Sequence, residues 1–162
     1  MNTRVSDIAR AAGVSHGTVF VHFESLEELI AEVVAEYGGR IVAATELASQ
    51  SATFEDLLRA HLAGVGEYEP FYTRLVIENR LLPQPVRDVW SGIQSAVSFH
   101  FSQLAGRELG ADTVLLFNTW MGLGHYYLTN GDLFAPEGRV IPQYADTLVG
   151  FYMKMAAGLG RP

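Results

Sequence analysis

Residues 3–23 read TRVSDIARAAGVSHGTVFVHF, and this stretch decides the fold. Thr3 is placed to cap a helix, its hydroxyl accepting from an otherwise unpaired backbone N–H. Val5, Ile8, Ala9 and Ala12 follow at helical spacing and form one apolar stripe. Gly13 ends that helix, because glycine enters the left-handed conformation at little cost. Val14 is expected to return to the core, and Ser15 to cap a second helix that carries Val19 and Phe23 inward. Two short helices around a tight turn, the second lined with small and polar side chains, is the layout of a helix-turn-helix. Its second helix enters a DNA major groove.

The register extends beyond that generic pattern. Ile8-Ala9, Ala12-Gly13-Val14-Ser15, Gly17-Thr18 and His22-Phe23 stand in order, followed by Glu24-Ser25-Leu26-Glu27-Glu28-Leu29 at the start of another helix. The string resembles the DNA-binding motif of TetR-type bacterial transcription regulators. That resemblance implies an all-α fold, with a small helix-turn-helix head on a larger helical body. It assigns Ser15, His16, Gly17, Thr18, Phe20, Val21 and His22 to the DNA face. Ser15 and Thr18 suit phosphate oxygens, Gly17 lets the backbone approach, and His16 and Val21 reach base edges, Val21 against a thymine methyl. Arg4 reaches a phosphate or a neighbouring groove, and His22 is read equally well as a half-buried packing residue. The chain departs from the family in three places. Phe20 stands where tyrosine is usual, and Leu26 where lysine is common. The family also places a further helix ahead of this motif, so the reading expects a shortened amino terminus, with Val5, Ile8 and Phe23 only partly covered.

A net charge of −7 is unusual for a DNA-binding protein, so its location matters. Residues 1–24 are neutral, with Arg4 and Arg10 against Asp7 and Glu24; the acidity lies in the remainder. With a screening length of about 8 Å, charge on a distant body is largely hidden from phosphates. A chain of 162 residues can bury roughly 70% of its unfolded surface without cross-links. Cysteine is absent, which excludes disulfides and thiolate metal sites. No apolar run suits a bilayer and no signal-peptide layout is present, so a cytoplasmic location is expected.

The rest of the chain reads as helical. Ser25 and Glu28 form a capping box at the head of a helix that continues past Gly38-Gly39. Ala48–Ala52 reads as a loop, Thr53 and Asp56 as the next helix start, Gly66 to Pro70 as a break, and Phe71 to Leu82 as a helix closed by Pro83 and Pro85. A long helix from about Val86 to Leu104 ends at Gly106 or Gly110; Asp112 caps another to about Thr129; Pro142 opens the last. The expected division is residues 1–37 for the head and 38–162 for the body.

The resemblance implies a homodimer through the last two helices, and the wide apolar arc of the final helix needs two packing surfaces. The expected interface is Leu116, Gly122, Gly124, Tyr127, Ala145, Leu148, Val149, Tyr152 and Ala156. Gly122 and Gly124 are read either as points of close backbone approach or as room for a bulky neighbour in the same subunit. Two-fold symmetry then predicts a palindromic or near-palindromic operator. For a small apolar or aromatic effector, the resemblance and the density of aromatic residues nominate His61, Phe71, Tyr72, Trp90, Ile93, Val97, His100, Phe101, Phe117, Trp120 and Tyr126, against the plainer reading of an aromatic core. No nucleophile motif or phosphate-cradling loop is present. Glu78, His61 and His100 lack metal-ligand spacing along any one helix, so neither an enzyme nor a cofactor or metal is expected. The expected protein is a ligand-responsive repressor. The alternative is a dimeric small-molecule-binding protein with a degraded or shortened head.

Overall fold

Local capping chemistry places most of the helix boundaries. The structure is a computed structural model that describes residues 4–51, 53–110 and 112–159, and every regular element among them is helical. Helix α1 spans Val5–Ala12 and α2 His16–His22. Between them Gly13 sits at φ 70°, and the Val14 N–H donates to the Ala9 carbonyl at 3.0 Å, closing the end of α1. Thr3 lies outside the described residues. Val14 does not turn inward as expected; it is 44% exposed, because the turn carries it past the Ala9–Val19 contact.

Helix α3 spans Leu26–Ser51 without interruption. The Glu28 N–H donates to Ser25 Oγ, while the Glu28 carboxylate accepts from the Glu24 N–H, one residue earlier than a reciprocal capping box would have it. The expected loop at Ala48 is helix up to Ser51, with Ala52 outside the described residues. The small polar residues satisfy their hydroxyls on their own helix: Thr45 donates to the Ile41 and Val42 carbonyls, and Ser49 to the Glu46 carbonyl. The Ser49 carbonyl then accepts from Arg107, and Glu108 accepts the Phe54 N–H, so the far end of another helix holds this corner.

Helix α4 (Phe54–Glu67) starts on the expected Thr53–Asp56 box and breaks only at Tyr68. Helix α5 covers Glu69–Glu78 and passes into a 3-10 turn, Asn79–Leu81. Helix α6 (Gln84–Glu108) is followed by Gly110 at φ 63°. Asp112 caps α7 (Thr113–Thr129) through the N–H groups of Val114 and Leu115. A single turn, α8 (Gly131–Phe134), leads to α9 (Val140–Leu159). Pro142 is the third residue of α9 rather than its first, because Glu69 takes up the N–H groups of Val140 and Ile141.

Burial divides into two clusters joined through α3. Ala9, Val19 and Leu29 form a small one, flanked by half-buried Val5, Ile8, Phe23 and Ile30. From Val34 onward α3 belongs to the large body cluster, which includes Phe54, Leu58, Trp90, Phe101, Trp120 and Tyr152. Helices α3 and α6 lie very close: a Cβ on Gly38 would stand 2.1 Å from an Ile93 methyl. No helix among the described residues is long and apolar enough to cross a membrane.

Candidate nucleic-acid interface and body site

Ser15 holds α2 at its start. Its Oγ accepts the Thr18 N–H at 3.0 Å and lies 2.8 Å from the Thr18 hydroxyl. Apart from buried Val19, the rest of α2 faces outward. Arg4, Ser15, His16, Gly17, Thr18, Phe20, Val21 and His22 are all exposed, Val21 to 80%. A Cβ on Gly17 would meet only Ser15 Oγ, at 3.8 Å, so the backbone is open to a close partner. His16 and Phe20 pack edge to face at 4.9 Å on this surface. His22 is exposed rather than a packed core residue, with its ring tilted against Phe23 at 6.5 Å. Arg10 pairs with Asp7 at 3.3 Å. The face therefore offers hydroxyls, backbone N–H groups, imidazoles and two apolar side chains, Phe20 and Val21, with few cations.

In the body, four polar rings form two linked pairs. The Trp120 indole N–H donates to His61 Nδ1 at 3.3 Å, and the Tyr72 hydroxyl lies 3.0 Å from His125 Nε2. Burial, with a lesser contribution from the charge on His125, lowers the His61 pKa to about 4, and burial also lowers that of His125. Both rings are thus held neutral at pH 7. These residues border a space of only about 10 Å³, at the lower limit for one water molecule.

The eleven expected effector residues do not enclose a common cavity. Tyr72, Trp90, Val97, Phe101 and Trp120 are buried in the core beside His61, with Tyr72–Trp90 and Trp120–Tyr152 rings 5.3 and 5.0 Å apart. Phe117 packs on Phe101, Ile93 is taken up by Gly38, His100 meets exposed Phe99 edge to face, Phe71 faces Tyr37, and Tyr126 is 59% exposed. Interleaved aromatic rings have filled the centre. Among the described residues, the buried Trp90 Nε1 alone is a buried side-chain donor without an acceptor. The roomier space, about 580 Å³, is an open groove between head and body, lined by Phe23, Val33, Glu36, Tyr37, Tyr68 and Phe71 among others.

The expected dimer residues also separate. Leu116, Leu148, Val149, Tyr152 and Ala156 are buried inside the protomer, Tyr152 donating to the Leu116 carbonyl at 2.5 Å, so they have no face left for a second copy. Tyr127 stacks on Phe134 at 4.2 Å and Ala145 is half-buried. Around Gly122 and Gly124, whose added Cβ atoms would meet nothing, no bulky neighbour in the same subunit needs the room. The outward apolar residues on α7 and α9 are Val114, Leu115, Tyr126, Phe151 and Leu159, each more than half exposed. Sequence reasoning named none of these five for the expected interface, although 114, 118, 122 and 126 follow one another at four-residue spacing. It also missed Glu69, whose partners lie some seventy residues away. Among the described residues no group of three His, Asp or Glu side chains could hold a metal ion.

Residues 1–33 match the family described as bacterial regulatory proteins, tetR family. The fold is similar to the crystal structure of a TetR family transcriptional regulator, PfmR, from Thermus thermophilus. The TM-score is 0.68 at 23% identity, covering 98% of this chain and 90% of that one. No curated protein matches the chain.

Proposed function

We propose that the chain is a TetR-type regulator, a reading its amino-terminal motif and its fold support, and that it acts as a cytoplasmic repressor. As a homodimer it binds a palindromic or near-palindromic operator, and a small apolar or aromatic effector releases it. The observation that carries this reading is α2 itself, capped at Ser15 and presenting His16, Gly17, Thr18 and Val21 clear of the protein. The division into a head of residues 1–37 and a body of 38–162 belongs to the same proposal, with α3 running through it.

The dimer face proposed here is Val114, Leu115, Gly122 and Tyr126 of α7 with Phe151 and Leu159 of α9, in place of the residues that the core consumes. The effector is proposed to enter beside Tyr72, Trp90, Trp120 and His61. Gly124 leaves space there, and the unmet Trp90 N–H supplies a donor. The rings must part to admit it, so the effector selects an opened body and shifts its population. The open groove at the head–body joint is the second candidate, because its volume already suits a ligand.

Fluorescence anisotropy on duplexes from the DNA upstream of the chain's own gene tests the reading. Arg4 and Arg10 give at most four cations per dimer to phosphate, so log affinity should fall with log salt at a slope of about −3 to −4. Val21→Ala should weaken the preferred sequence more than competitor DNA, as loss of a base contact requires. Absent or sequence-blind binding would leave the alternative, a dimeric small-molecule-binding protein whose head no longer reads DNA.

A further inference from the structure

Glu69 is a buried carboxylate, 6% exposed, that the DNA-binding and effector readings leave unused. As the first residue of α5, it gives one oxygen to the Val140 N–H at 2.6 Å and the other to the Ile141 N–H at 2.9 Å. The Arg139 guanidinium lies 3.8 Å away. Burying a carboxylate is costly unless it is paired and hydrogen-bonded. Here both oxygens serve the positive end of another helix, where unpaired N–H groups and the helix dipole favour an anion. The start of α9 is therefore tied to the start of α5.

Two residues further on, the same turn holds a different helix. The Phe71 ring packs edge to face on Tyr37 of α3 at 5.5 Å. Tyr37 is itself fixed, its hydroxyl donating to the carbonyls of Gly64 and Val65 at 3.1 Å each. The helix-turn-helix joins α3 at Leu26, about 16 Å along the helix from Tyr37 at 1.5 Å per residue. A small tilt at Tyr37 is thus enlarged at α2.

We propose that Glu69 is a positioning residue that couples the seating of α9 to the tilt of α3, and so to the placement of the reading head. The path runs from the proposed dimer helix to the head through Glu69, Phe71 and Tyr37, without passing through the aromatic centre. It rests on the dimeric DNA-binding reading for its purpose, though the coupling itself lies within one chain.

The absence of cysteine makes the distance measurable. Spin labels at Ala11→Cys in the head and Gln103→Cys on the body, both exposed positions, report head placement by pulsed electron resonance. Labelled protein is diluted with unlabelled chain so that one labelled protomer is read at a time. Glu69→Gln preserves the shape but turns an amide NH2 toward one of the two N–H donors. It should shift or broaden the label distance by several ångström and lower operator affinity about tenfold, with the dimer still present in sedimentation. Phe71→Leu leaves the Glu69 bonds intact and removes the ring contact with Tyr37; it should move the same distance, and it reads the coupling if Glu69→Gln fails to fold. An unchanged distance in the folded Glu69→Gln protein, with only a lower melting temperature, would make Glu69 a stabilising cap alone and overturn the proposal. An unchanged distance in Phe71→Leu would overturn it too. Failure of the unmodified protein to dimerise or bind DNA would instead remove the regulator reading, while the distance within one chain still decides the coupling.

Discussion

The head and the body are held together by interactions of different range. In the head the cap bonds join neighbours: Ser15 to Thr18, Ser25 to Glu28, the Val14 N–H to Ala9. Among the described residues its buried hydrophobic side chains are Ala9, Val19 and Leu29, with Val5, Ile8 and Phe23 half covered. The body is closed by contacts between distant segments: Tyr152 to Leu116, Trp120 to His61, Glu69 to Val140, Arg107 to Ser49. A part secured by local bonds and little burial opens at low free energy, whereas a part secured by long-range packing opens only with the whole. The contrast suits the proposed function, in which a head that adapts to DNA is carried on a body that holds a fixed spacing.

The largest effect should come from the body centre. Phe54 is fully buried against Phe101 and Tyr152 at ring distances of 4.9 and 6.3 Å, so Phe54→Ala should cost about 3–5 kcal/mol in urea denaturation. A loss below about 1 kcal/mol would mean that the body is not one cooperative core. Acid should act next. Burial holds the His61 pKa near 4, below its unfolded value of 6.5, so the folded state resists a proton that the unfolded chain accepts. Stability is then complete above pH 6.5 and falls as the pH drops toward 4, by on the order of 3 kcal/mol for this group. His125 acts in the same direction. Denaturation midpoints across that range check it, and in His61→Gln this part of the pH dependence should vanish. The smallest effect belongs to the head. Ser15→Ala removes the α2 cap and should cost about 1 kcal/mol. It should appear as faster amide exchange from Thr18 to Phe23 with little change in the body's melting temperature. Equal loosening of head and body would erase the distinction between them.

What could be read from the sequence was what neighbouring residues decide. Gly13, Ser15, Thr53 with Asp56, and Asp112 act as expected, because a cap needs only a side chain and the backbone within one turn. The exposure of α2 was legible through its motif: Val19 packs on Ala9 and Leu29, which leaves the rest of a seven-residue helix outside. Legibility ended where a helix is apolar on several faces. On α7 and α9 hydrophobic spacing allows either Leu116 and Tyr152 or Val114 and Phe151 to face inward, and only packing against α4, α5 and α6 chooses. The filled aromatic centre has the same origin, since ring composition says nothing of the angles at which rings interlock.

The sequence by itself determined the helical class, most helix starts and the exposed face of α2 proposed to read DNA, because these follow from bonds and periodicity within a turn or two. The tertiary structure decided which apolar faces remain open to a partner, whether the body holds a ready cavity, and that Glu69 would meet the start of α9. Each of those depends on segments that meet only after the chain has folded, at distances no local pattern encodes.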